Sequence, residues 1–194
     1  MTVPRILLVR HGEVDGTQLD EEGWWGPARD LSPLSPVGIE QAREVGRKLR
    51  DSGARHIISS PMTRALQTAA LIAAETRLPL TAVEVDLREW LPDATLSWRT
   101  EEALAAVADF HLHNGEWPAG ETRTWEPQSS VRRRATRALR RHAAPFVAVS
   151  HGMLIGSLTG DAGIEHCGVR ELDQLPAIDT GPTFLPEPAG RPAR

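Results

Sequence analysis

The chain has 194 residues, 40% hydrophobic and 25% charged, with a formal net charge of −4. This is an ordinary composition for one globular domain, placed here over residues 1–185 with a loose tail over 186–194. The acidic balance argues against nucleic acid or an anionic membrane as partner.

A single cysteine, Cys167, excludes an intramolecular disulfide and points to a reducing cytoplasm. The apolar run at 6–9 is too short for a signal-peptide core, and no window approaches the roughly 18 apolar residues that span a bilayer. Of the 22 basic residues all but Lys48 are arginine, so any anion site is built from guanidinium groups.

Residues 5–10 form a short, branched, apolar run that predicts a buried strand. Residues 14–34, with Gly16, Gly23, Gly26, Pro27 and Pro33, predict a long loop. Ser35 and Pro36 supply an N-cap and a first-turn proline, and a helix follows to Gly53. A second strand covers 56–59. Ser60 and Pro61 repeat the cap signal before another helix, with Ala65, Leu66, Ala69, Ile72 and Ala73 as its stripe. A third strand is predicted at 80–85, a helix at 100–112, a loop at 113–128 and an amphipathic helix at 129–142. Residues 146–150 form a strand, followed by a helix over 153–158. An edge strand is expected near 183–185. Alternating β and α units imply a three-layer α/β/α fold with a mostly parallel central sheet.

Ligands of such folds bind beyond the carboxyl ends of the strands. Three chemically loaded segments fall there: Arg10-His11-Gly12-Glu13, Ser59-Ser60-Pro61 with Arg64, and Ser150-His151-Gly152. Arg64 stands in a first helical turn, the wrong end of the dipole for a cation, and asks for an anion. Arg10 and Arg64 can grip phosphate oxygens as forks. Glycine after each histidine admits close approach of a ligand, and the helix start near Gly152 offers N–H groups to an oxyanion. Imidazole is a competent nucleophile near pH 7, and the two arginines favour its neutral form.

The string Leu8-Val9-Arg10-His11-Gly12-Glu13 resembles the RHG signature of the histidine phosphatase superfamily, which includes phosphoglycerate mutases. Residues 34–42 (LSPVGIEQA) are similar to that family's LTPxGxxQA helix start. Residues 59–69 (SSPMTRALQTA) resemble its SSPLxRAxQTA block, Leu87-Arg88-Glu89 its LxE segment, and Val149-Ser150-His151-Gly152 its VSHG. These blocks stand in family order across most of residues 5–160. The resemblance implies a phosphoglycerate mutase-like fold and phosphoryl transfer without metal or cofactor. By this resemblance His11 becomes phosphohistidine, Arg10, Arg64 and His151 bind the phosphoryl oxygens, and Glu89 acts as acid and then base.

Departures favour a phosphatase over a mutase. The asparagine that many mutases carry after RHGE is missing from Val14-Asp15-Gly16-Thr17-Gln18, where Thr17 or Gln18 is the substitute. The middle section 98–125 is short, and Trp90-Leu91-Pro92-Asp93 replaces the mutase WEG continuation. The expected activity is hydrolysis of small phosphomonoesters by a monomer or homodimer. A mutase and a non-catalytic phospho-ligand module are the alternatives. Loop residues Glu121 and Glu126 are reserve candidates for the acid. His111 and His113 lack a completing ligand and are taken as surface groups. Arg132, Arg133, Arg134, Arg137, Arg140 and Arg141 are taken as a solvated helix face. Some of the six tryptophans, mostly in loops, are candidates for the substrate mouth.

Overall fold

The computed structural model describes residues 5–161, 163–178 and 184. Strand β1 (Ile6–Arg10) leads into helix α1 (Thr17–Glu21), a 3₁₀ turn (Gly26–Leu31) and α2 (Pro36–Leu49). Then come β2 (Ile57–Ser59), α3 (Thr63–Thr76), β3 (Leu80–Val83) and a 3₁₀ turn at Val85–Leu87. Helices α4 (Thr100–Leu112) and α5 (Gln128–Leu139), strand β4 (Phe146–Ser150), α6 (Gly152–Thr159) and β5 (Val169–Leu172) complete the order.

The strands lie in the order β3-β2-β4-β1-β5. All pairings are parallel except β1 with β5, which is antiparallel. Side-chain alternation explains the three layers. Leu7 and Val9 of β1 and Val147 and Val149 of β4 pack with Val45, Leu49, Ala65, Ala69 and Ile72 of α2 and α3. The intervening Ile6, Leu8, Phe146 and Ala148 pack with Val131, Ala135, Leu139, Leu154 and Ile155 of α5 and α6. Both faces are covered, so the central strands are apolar throughout. No helix among the described residues is long and apolar enough to cross a membrane.

Several expectations need correction. The 14–34 loop carries α1 and a 3₁₀ turn, its ends tied by a Val14–Leu34 bridge. The strand predicted to reach Val85 stops at Val83, which pairs with Ser59, the last residue of its partner β2. Arg133 and Arg134 are buried, so α5 is not one broad solvated arginine face. The observed edge strand β5 was not foreseen. Its four residues, Val169, Arg170, Glu171 and Leu172, place two charges side by side, too short and too charged to stand out. The strand expected near 183–185, apart from Phe184, and the 186–194 tail lie outside the described residues.

Candidate active site

Strand register builds the site. In the parallel β1–β4 ladder Arg10 pairs with Ser150, so the residues that follow, His11 and His151, emerge side by side. Their ring centroids are 5.1 Å apart, edge to face. In the β2–β4 ladder Ser59 pairs with Val149, which brings Ser60 against them. Ser60 does not cap α3, whose N-cap is Met62; its Oγ lies 2.7 Å from His151 Nε2. Arg64, in the first turn of α3, reaches back so that its Nε donates to His11 Nε2 at 3.3 Å.

The turn after β1 is fixed by close backbone packing. A Cβ on Gly12 would meet the Gly38 carbonyl oxygen at 2.6 Å, and one on Gly38 would meet the Glu13 carbonyl oxygen at 2.1 Å. The Gly12 N–H donates to Thr68 Oγ1 at 3.1 Å. The Glu13 carboxylate accepts from Ser35 Oγ at 2.7 Å, locking the start of α2 to the same turn.

His11 is buried, and its hydrogen bonds define its tautomer. Nδ1 lies 2.8 Å from the Gly12 carbonyl oxygen, which can only accept, so Nδ1 carries the proton. Nε2 accepts from Arg64, so its lone pair faces the guanidinium side of the site. Burial, helped by Arg64, Arg10 and His166 and opposed by the Gly12 bond, pulls this imidazole from 6.5 down to about 3. His151 is fully buried and held well below its ordinary value by that burial and by Arg64 and His11. Both rings are therefore neutral at pH 7.

Arg10 donates through Nη1 to the Ile164 carbonyl at 2.6 Å and through Nη2 to His166 Nε2 at 3.1 Å. Its Nε has no protein partner, and neither has His151 Nδ1. Thr136 Oγ1 is the other such buried side-chain atom among the described residues. Two of three orphaned atoms thus belong to groups flanking His11, as an anion site requires.

Glu89 sits at the start of α6. Its carboxylate accepts from the N–H groups of Trp90 at 2.8 Å, Leu154 at 3.2 Å and Met153 at 3.3 Å. The amides that follow Gly152 are therefore used by Glu89, which corrects the expectation that they are free for a ligand. Gly152 instead lies against the Arg10 guanidinium, its Cβ position 3.5 Å from Nε. Burial pushes the Glu89 carboxyl above the usual range, against the pull of those three N–H groups and Arg64. Behind it Arg134 acts as a strut. Its Nη2 donates to the Glu89 carbonyl at 3.0 Å, while Nε and Nη2 hold the Glu126 carboxylate at 2.8 and 2.9 Å.

Glu126, a reserve acid from the sequence, is thus a buried counter-ion for Arg134. Glu121 is exposed and paired with Arg123 at 2.6 Å. Thr17 is exposed, and its N–H goes to Asp15 Oδ1 at 2.9 Å rather than to the site. His111 lies on the surface of α4, and His113 pairs with Asp109 at 3.3 Å. No cluster of three or more potential metal ligands occurs among the described residues. Trp90 and Trp125 are core residues around Phe110, while Trp24 and Trp25 are exposed. The sequence reading missed His166, Asp30 and the strut Arg134, and it placed Ser60 in a loaded segment without giving its side chain a role in the site. The one available signal was Ser60, written off to a helix cap.

A family model for the histidine phosphatase superfamily (branch 1) matches residues 6–178. The chain belongs to that superfamily. A probable phosphoglycerate mutase GpmB of Proteus mirabilis is 30% identical over 166 residues, covering 79% of this chain and 72% of that protein. A mycobacterial glucosyl-3-phosphoglycerate phosphatase, solved with VO3, superposes with a TM-score of 0.65 at 22% identity, covering 87% and 90% of the two chains. An Entamoeba histolytica phosphoserine phosphatase, solved with 3-phosphoglyceric acid, gives 0.59 at 25% identity, covering 86% and 89%. The superfamily thus includes phosphatases and mutases of this fold, and this chain carries their RHG and SHG segments.

Proposed function

We propose that the protein hydrolyses small phosphomonoesters through a phosphohistidine on His11, needing neither metal nor cofactor. The observation that carries this is the neutral His11, with Nδ1 protonated and the Nε2 lone pair turned toward Arg64, beside the Arg10 guanidinium. In the first step Nε2 bonds to phosphorus and the ester P–O bond breaks. Its electron pair passes to the leaving oxygen, which takes the Glu89 proton; the raised carboxyl supports that role. Arg10 Nε, Arg64 and His151 Nδ1 bind the equatorial oxygens, where positioned donors contribute most. In the second step Glu89 takes a proton from water, the oxygen attacks phosphorus, the P–N bond breaks and the pair returns to Nε2.

A mutase differs only in the acceptor of the second step, and the GpmB relatives favour that as the second reading. Incubation with an aryl phosphate and with 3-phosphoglycerate, in EDTA, separates them. Hydrolysis predicts free inorganic phosphate, no isomeric phosphoester, and an acid-labile phosphoenzyme that His11→Ala cannot form. Undiminished turnover in that variant, or complete loss in EDTA, contradicts the mechanism.

A further inference from the structure

The segment between β1 and α2 holds a carboxylate that the chemistry above does not use. Asp30 stands in the 3₁₀ turn Gly26–Leu31, with Oδ1 4.0 Å from Arg64 Nη1. Arg64 in turn contacts His11 Nε2, so Asp30 lies one guanidinium away from the reacting atom. Asp30 also lines a cavity of about 310 Å³ whose wall includes Asp20, Arg29 and Trp98.

The charges of that wall do not cancel. Asp20 and Arg29 form an ion pair with each other. Asp30 has the long contact to Arg64 and feels Arg88, but Arg88 is itself shared between Asp86 and Glu126, each at 3.8 Å. A phosphoryl group engages the Arg64 fork and takes its charge. Asp30 is then a half-buried anion without its countercharge, one guanidinium away from His11 Nε2. Burial already pushes its carboxyl above the usual range. A carboxylate on the leaving group meets repulsion there. A cation meets a carboxylate in a cavity that Trp98 also lines, and a carboxylate with a tryptophan suits an ammonium ion.

We propose that Asp30 and Trp98 form a subsite for an ammonium group on the leaving alcohol, so that phosphomonoesters of amino alcohols are preferred over carboxylated phosphoesters. This rests on the hydrolytic reading of His11.

The test compares kcat/KM for 2-aminoethyl phosphate with that for 3-phosphoglycerate. The wild type is expected to favour the first, and Asp30→Asn to lower that ratio by about tenfold or more, the size of one charge-assisted contact. A wild type that favours the carboxylated ester overturns the subsite. So does an Asp30→Asn variant that slows both esters equally. If neither ester nor an aryl phosphate is turned over, the hydrolytic reading has failed, and the subsite is judged by binding. Calorimetry on His11→Ala should then show tighter binding of 2-aminoethyl phosphate, lost in the His11→Ala/Asp30→Asn double variant. Equal affinities of His11→Ala for the two esters reject it.

Discussion

Acid should destabilise this protein well before its ordinary carboxylates titrate, because the fold holds His11 neutral. The folded imidazole titrates at about 3 and the unfolded one at 6.5. Between those values the unfolded chain binds the extra proton, so stability is lost as pH falls. Below 6.5 each pH unit is worth about 1.4 kcal/mol, which gives a loss of about 2 kcal/mol between pH 7 and pH 5 for this group alone. His151, also depressed by burial, adds to the loss. Glu89 and Asp30 work the other way. Their carboxyls are raised in the fold, so the folded state takes up their protons first and regains stability as pH falls. A His11→Gln variant isolates the one contribution. Urea unfolding at pH 7 and pH 5 should show the wild type losing about 2 kcal/mol more than the variant. Identical pH dependence in the two proteins would refute a buried, neutral His11.

Two further substitutions probe how the site is held. Gly38→Ala should cost about 3 kcal/mol in urea unfolding and lower turnover, since its Cβ lands 2.1 Å from the Glu13 carbonyl oxygen and backbone has to move. A variant of wild-type stability would mean that the two turns are not in such contact. Arg134→Met should cost about 3 kcal/mol by leaving buried Glu126 with only the longer Arg88 contact as countercharge, and Glu126→Gln in the same chain should restore part of it. No recovery in the double variant would show that the ion pair is not the source of the loss.

The central sheet was legible because both of its faces are covered. Strand β4 is a continuous apolar run, and its predicted span matches the observed Phe146–Ser150. Helix α4 was equally clear, its predicted 100–112 matching Thr100–Leu112. Arg10, His11 and His151 were legible because their strand-end positions repeat, and Arg64 because a cation in the first turn of a helix asks for an anion. Long-range polar contacts were not. Nothing in the spacing of Arg134 distinguishes it from the exposed Arg137 on the same helix; only the approach of the 86–89 segment does. His166 stands in the turn just before the antiparallel β5, and the adjacent charges Arg170 and Glu171 hid that strand. Ser60 carried a true signal that a plausible cap explained away.

The excursion over residues 14–34 leaves and rejoins the domain at neighbouring points, pinned by the Val14–Leu34 bridge and by Gln67 Oε1 on the Leu34 N–H at 2.6 Å. Its interior carries Asp30 and the exposed Trp24 and Trp25, whereas His11 directly follows strand β1 and Glu89 follows the 3₁₀ turn Val85–Leu87. In the proposed subsite Asp30 comes from this excursion and Trp98 from the approach to α4, stretches of chain separate from His11. Replacing the 14–34 excursion alone should therefore change leaving-group preference while His11 stays in place.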